Sequence, residues 1–160
     1  MDRDIYTIKL EPHEKAQHIL VKKESFQDVS LKTKNDILSE ITNICKKEYN
    51  CKECEPIHLE NHSNDNIFLE NGVLLINKLI KNISDNYLVF LRLKHPVVFE
   101  KKSTIKSDLI FTIFSPYNLG TFNKLQILSK LSRILNKNNI RKKITGALKA
   151  EDVIALLVTT

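Results

Sequence analysis

A single α/β domain, built as a three-layer sandwich with a mixed central β-sheet flanked by helices, is the architecture this chain predicts. Three observations carry that expectation. Residues 72–76, 87–93 and 109–114 are short runs rich in strand formers, and the last is apolar without a break, as in a strand covered on both faces. Residues 34–47, 121–135 and 140–157 instead place their apolar side chains at helical spacing. Finally, the order of these segments is helix, strands, then three helices, which layers helices on a sheet. With 160 residues, 42% of them hydrophobic, the chain can bury one sizeable core and is too short for two ordinary ones. The expected division is one domain over 1–160, with an N-terminal extension at 1–24 and the main body at 25–158.

The elements follow in order. Residues 5–10 alternate apolar with polar before Pro12, and Ile19, Leu20 and Val21 form a second short apolar piece of the extension. Phe26, Val29 and Leu31 interleave with polar residues as in a short strand. Thr33, followed three residues later by Asp36, is a helix-start signature, and Ile37, Leu38, Ile41, Ile44 and Cys45 make the buried face of the helix behind it. Residues 49–66 are irregular and broken by Pro56, with a short helix expected at 55–61. The strand at 72–76 is expected to stop at Asn77, and that at 87–93 at His95 and Pro96, because proline cannot donate to a ladder. Thr121 is expected to cap a helix whose core stripe is Phe122, Leu125, Leu128, Leu131 and Leu135, widened by Ile127 and Ile134. A short helix ends near Gly146. A last one opens on Glu151 and Asp152, where acids favour the positive helix end.

Composition narrows function. No run of eighteen apolar residues occurs, so no membrane-spanning segment is expected, and the acidic Met1-Asp2-Arg3-Asp4 without an apolar stretch argues against secretion; a cytoplasmic location is expected. The net charge of +6 permits contact with polyanions, yet the lysines are spread along the chain, tryptophan is absent and no basic stripe is interleaved with aromatics, so no nucleic-acid partner is expected. The cysteines Cys45, Cys51 and Cys54 are odd in number and expected to be reduced. Cys51, Cys54, His58 and His62 have ligand-like spacing, but no gap separates two pairs that could converge tetrahedrally. No metal and no cofactor is expected.

Several segments together resemble a known family. Asn71-Gly72-Val73-Leu74-Leu75-Ile76-Asn77-Lys78 is an apolar strand entering polar residues, Arg92-Leu93-Lys94-His95-Pro96-Val97-Val98-Phe99 reads as R-L-x-x-P-V-x-F, and Asp108-Leu109-Ile110-Phe111 reads as D-L-V-F. With the helix at 125–135 and the closing helices at 144–157, these words resemble enzyme IIA of the phosphoenolpyruvate sugar phosphotransferase system, in its mannitol/fructose and nitrogen-regulatory branch, over residues 25–157. The resemblance implies an α/β sandwich and transfer of a phosphoryl group from a His-phosphorylated carrier protein to a histidine at the end of the central strand. The partners it implies are the carrier protein and targets of the transporter or sensor-kinase type.

That histidine falls on Asn77, and the proline before it falls on Ile76. The arginine that offsets the phosphoryl charge falls on Asn61, a second histidine falls on Lys124, and the small-residue turn before the strand falls on residues 65–68, with Glu70 replacing a glycine. A carboxamide is no nucleophile at neutral pH, and Asn61 lacks the guanidinium fork. The reading is therefore a regulatory enzyme IIA-like protein without phosphotransfer activity that acts by binding other proteins. The alternative is an active phosphotransferase accepting phosphoryl on another histidine such as His62, beside the lost arginine; His95 is a weaker candidate, more simply a residue of a strand end. A basic module for nucleic acid is the third reading.

Overall fold

The computed structural model describes residues 5–9, 18–22, 26–29, 33–48, 65–81, 83, 85–99, 104–118 and 120–159. The strands are β1 (Ile5–Lys9), β2 (His18–Lys22), β3 (Phe26–Val29), β4 (Asp65–Phe68), β5 (Val73–Ile80), β6 (Asn86–Val98) and β7 (Lys106–Pro116); the helices are α1 (Lys34–Glu48), α2 (Thr121–Leu135), α3 (Asn138–Gly146) and α4 (Ala150–Thr159). They form one mixed sheet of order β1-β2-β6-β7-β5-β4, with β3 also paired to β6. β5 and β7 are parallel; β6 with β7, β4 with β5 and β1 with β2 are antiparallel. The extension thus adds strands to the sheet: β2 runs parallel to the start of β6 at Asn86 and Tyr87, and β3 joins the same edge farther along, from Phe90 to Leu93.

Two cores lie on opposite faces of this sheet, because successive residues of a strand point to opposite sides. Leu74 and Ile76 of β5, Val89 and Leu91 of β6 and Ile110 and Phe114 of β7 meet Ile37, Leu38, Ile41, Ile44 and Cys45 of α1. Their neighbours Val73, Leu75, Leu88, Phe90, Leu109, Phe111 and Ile113 meet α2, α3 and α4. Phe90 and Phe111 are directly opposite across the β6–β7 ladder and stack with centroids 4.5 Å apart. Among the described residues the three layers of the sandwich are therefore one helix, the sheet, and three helices.

Several boundaries differ from expectation for identifiable reasons. The amide of Asp36 donates to Thr33 Oγ1 at 3.1 Å, so α1 starts as its capping residue dictates. At α2 the cap is Gly120, without a side-chain bond, and Thr121 is already inside the helix. Leu125, counted into the core stripe, is 55% exposed, and among the described side chains of α2 the core begins at Ile127 and Leu128. β6 continues through Pro96 to Val98, but its register with β7 shifts between Arg92 and Val97, where proline cannot join the ladder. Residues 65–68 form the edge strand β4 rather than a turn. The chain turns instead at 69–72, where Gly72 takes φ +88° and its carbonyl accepts the amides of Asp108 and Leu109. The short helix expected at 55–61 lies outside the described residues.

Candidate functional site

Position 77 is where the sequence places the site, and its surroundings follow from the strand that carries it. β5 does not end there: Asn77, Lys78, Leu79 and Ile80 continue the parallel ladder opposite Ile113, Phe114, Ser115 and Pro116 of β7. Leu79 and Ile80 extend the strand pattern, so two polar side chains, Asn77 and Lys78, are accommodated within the strand and do not terminate it. Asn77 is 2% exposed and shares the face of Val73 and Leu75, beneath the α2–α4 layer.

The carboxamide is held by its nitrogen. Asn77 Nδ2 donates to Ser115 Oγ at 2.8 Å and to the carbonyl oxygen of Ile113 at 3.1 Å, while Oδ1 has no hydrogen-bond partner among the described residues. Ser115 is itself fully buried, and the register that sets Tyr87 opposite Phe114 brings Asn86, 5% exposed, to the same end of β7. Asn77, Ser115 and Asn86 thus form a polar cluster inside an apolar layer. Within it both protons of the Asn77 amide find acceptors, while Asn86 Oδ1, like Asn77 Oδ1, has no hydrogen-bond partner among the described residues. Ser115 and Asn86 escaped the sequence reading; their one signal is that each is a polar residue bordering a strongly apolar strand.

Lys78 projects to the other face, towards α1, and is 9% exposed. Burial pushes the Cys45 thiol up to about 12, against the opposing pull of the Lys78 and Lys46 ammonium groups, so the thiol is neutral and unreactive at physiological pH. Beyond the buried cluster the surface opens: α2 begins after the turn that ends β7, and Lys124 lies in its first turn, half-exposed, with its amide bonded to the Gly120 carbonyl. Beside it Leu125 and Tyr117 are 55% and 62% exposed, the Tyr117 amide donates to Ile80, and the Lys81 ammonium sits 5.5 Å from the Tyr117 ring centre. Burial, with the Asp85 carboxylate, raises the Tyr87 phenol.

Asn61 and His62 lie outside the described residues, as do Cys51, Cys54 and His58. His95 is an exposed residue within β6. Among the described residues no group of three or more His, Cys, Asp or Glu side chains could hold a metal, and no helix is long and apolar enough to cross a membrane.

At the opposite end of β5 the polar residues are structural. Arg141 of α3 pairs with Asp108 at 2.6 Å, donates to the Asn71 carbonyl and bonds Thr145 Oγ1, while Asn71 Nδ2 donates to the carbonyl of Leu135 at 2.9 Å. Arg92 Nη1 donates to the carbonyls of Ile144, Thr145 and Ala147 at 3.0, 3.2 and 2.6 Å, closing the C-terminal end of α3. The arginine of R-L-x-x-P-V-x-F and the aspartate of D-L-V-F therefore fasten the helical layer to the sheet.

Comparison with known proteins places these features. The structure is similar to the nitrogen regulatory protein IIA-Ntr of Neisseria meningitidis, with a TM-score of 0.65 and 19% identity over 86% of this chain and 95% of that one. It is also similar to IIA mannitol of Escherichia coli, with a TM-score of 0.57 and 14% identity over 82% and 94% of the two chains. No curated protein matches. Residues 18–159, β2 through α4, match the family described as the phosphoenolpyruvate-dependent sugar phosphotransferase system, EIIA 2, and the chain is a member of that family.

Proposed function

We propose that this protein is an enzyme IIA-like regulator of the nitrogen-regulatory type that does not accept a phosphoryl group and acts by binding other proteins. The observation that carries the reading is Asn77: a carboxamide, 2% exposed, anchored by Ser115 and the Ile113 carbonyl at the position assigned to the phosphoacceptor. Nucleophilic acceptance of phosphate needs a free lone pair on nitrogen and room for in-line approach. An amide nitrogen has delocalised its lone pair, and here both its protons are engaged.

Family members interact with other proteins of the phosphotransferase system. The face proposed to meet partners is the end of the sheet where Lys81, Tyr117, Lys124 and Leu125 surround the start of α2. It combines two exposed apolar side chains with cations, the composition of a binding patch. The protein would work in the cytoplasm, where such carriers reside.

Incubation with phosphoenolpyruvate, the first enzyme of the system and its carrier protein tests the reading. Intact-mass spectrometry is expected to show no added phosphoryl group, with an active enzyme IIA as positive control. A gain in mass that His62→Ala abolishes would establish the phosphotransferase alternative instead.

A further inference from the structure

The junction of α3 and α4 forms an open groove of about 530 Å³, lined by Ala147, Leu148, Ala155 and Leu156 and edged by Lys143, Gly146 and Asp152. Leu148 is 92% exposed, so its isobutyl group stands in solvent above a shallow aliphatic floor. The floor is preformed: the three carbonyl bonds from Arg92 hold the end of α3, and Ile144, Val153 and Ile154 root both helices in the core. A rigid groove need not be ordered when something binds in it.

The charge of α3 and of the turn after it is basic, whereas α4 opens on Glu151 and Asp152. Residues 137–149 carry five basic side chains and no acidic one. Arg141 is neutralised by Asp108, whereas Lys137, Lys142, Lys143 and Lys149 are exposed and, among the described residues, have no ion-pair partner. Asp152 alone opposes them at the rim.

We infer that this groove docks an acidic segment of another protein, which seats one aliphatic or aromatic side chain against Leu148, Ala155 and Leu156 and directs carboxylates to Lys142, Lys143 and Lys149. Apolar anchor and charge then divide the work: the anchor supplies affinity by desolvation, and the lysines supply orientation and rate of encounter. A polynucleotide satisfies only the second requirement. It has no aliphatic side chain to bury, and the groove offers no aromatic ring for stacking a base. The groove belongs to the end of the helical layer that Arg141 ties to the start of β5, away from Asn77 and Tyr117, so the inference goes beyond the proposed function and stands or falls separately.

The test is selection of a displayed random short-peptide library on the full chain, followed by affinity measurement on the wild type and on Leu148→Asp and Lys143→Glu, both changes at exposed positions that leave the core intact. Expected are clones in which acidic residues flank a large apolar one, bound roughly tenfold more weakly by either variant and more weakly at high salt. Binding of those clones should leave the Tyr117 face unaffected. The inference is overturned by an absence of enrichment over an immobilised control protein, by clones that bind both variants as tightly as the wild type, or by displacement of the clones by single-stranded oligonucleotide at charge-matched concentration with loss on Lys143→Glu but not on Leu148→Asp.

Discussion

At position 77 the hydrogen bonds say more than the residue type. Asn77→His has to fit a ring into a filled site while keeping donors to both Ser115 and the Ile113 carbonyl, so it is expected to destabilise the fold by about 1–3 kcal/mol and to restore no phosphotransfer. Urea denaturation and the phosphotransfer assay would read the two outcomes together. Cys45 makes a prediction with a definite sign. Its thiol titrates near the ordinary 9.0 in the unfolded chain and only near 12 in the folded one, so above pH 9 the unfolded state binds fewer protons than the folded state. The stability due to the neutral buried thiol is complete below pH 9 and is lost as pH rises towards 12, with a slope of at most about 1.4 kcal/mol per pH unit. Cys45→Ala should lower stability by about 1 kcal/mol at neutral pH and show a shallower decline between pH 9 and 11 than the wild type.

The elements are joined by side chains that sequence spacing does not reveal. Arg92→Ala leaves three carbonyls at the end of α3 without their shared donor and is expected to cost about 2–4 kcal/mol, with faster amide exchange in α3 and α4 than in α1. Equal acceleration in all helices would show that the arginine does not act locally. The apolar words at 72–76, 87–93 and 109–114 could be read as strands because burial on both faces demands uninterrupted apolar runs, and α1 announced itself through Thr33 and Asp36. The polar anchors could not: Arg141 meets Asp108 across 33 residues of chain, and Arg92 meets Ile144 across 52, distances over which periodicity carries no information. For the same reason Leu125 was counted into a core that it does not join, and Asn77 was taken for a strand end when its partners lay in β7. What the sequence did reveal was the strand that carries Asn77; that this strand continues past it and buries its amide was not legible, because the partners lie in β7.

Across the whole molecule, the strands β1 and β2 make Ile5–Lys9 and His18–Lys22 part of the sheet. Removing residues 1–24 should strip the edge of β6 at Asn86 and Tyr87 of its pairing, lower the melting temperature and produce concentration-dependent association, measurable by sedimentation. A truncated chain as stable and monomeric as the full one would show that these strands are an ornament on the sheet. The longer reach of β5 has a consequence of its own. Because the ladder runs on through Leu79 and Ile80, Asn77 lies inside a central strand and not at its tip. If the proposed function holds, a histidine regained at this position would still be framed by the last rungs of that strand, and exposing it would mean unzipping them at a cost in folding stability.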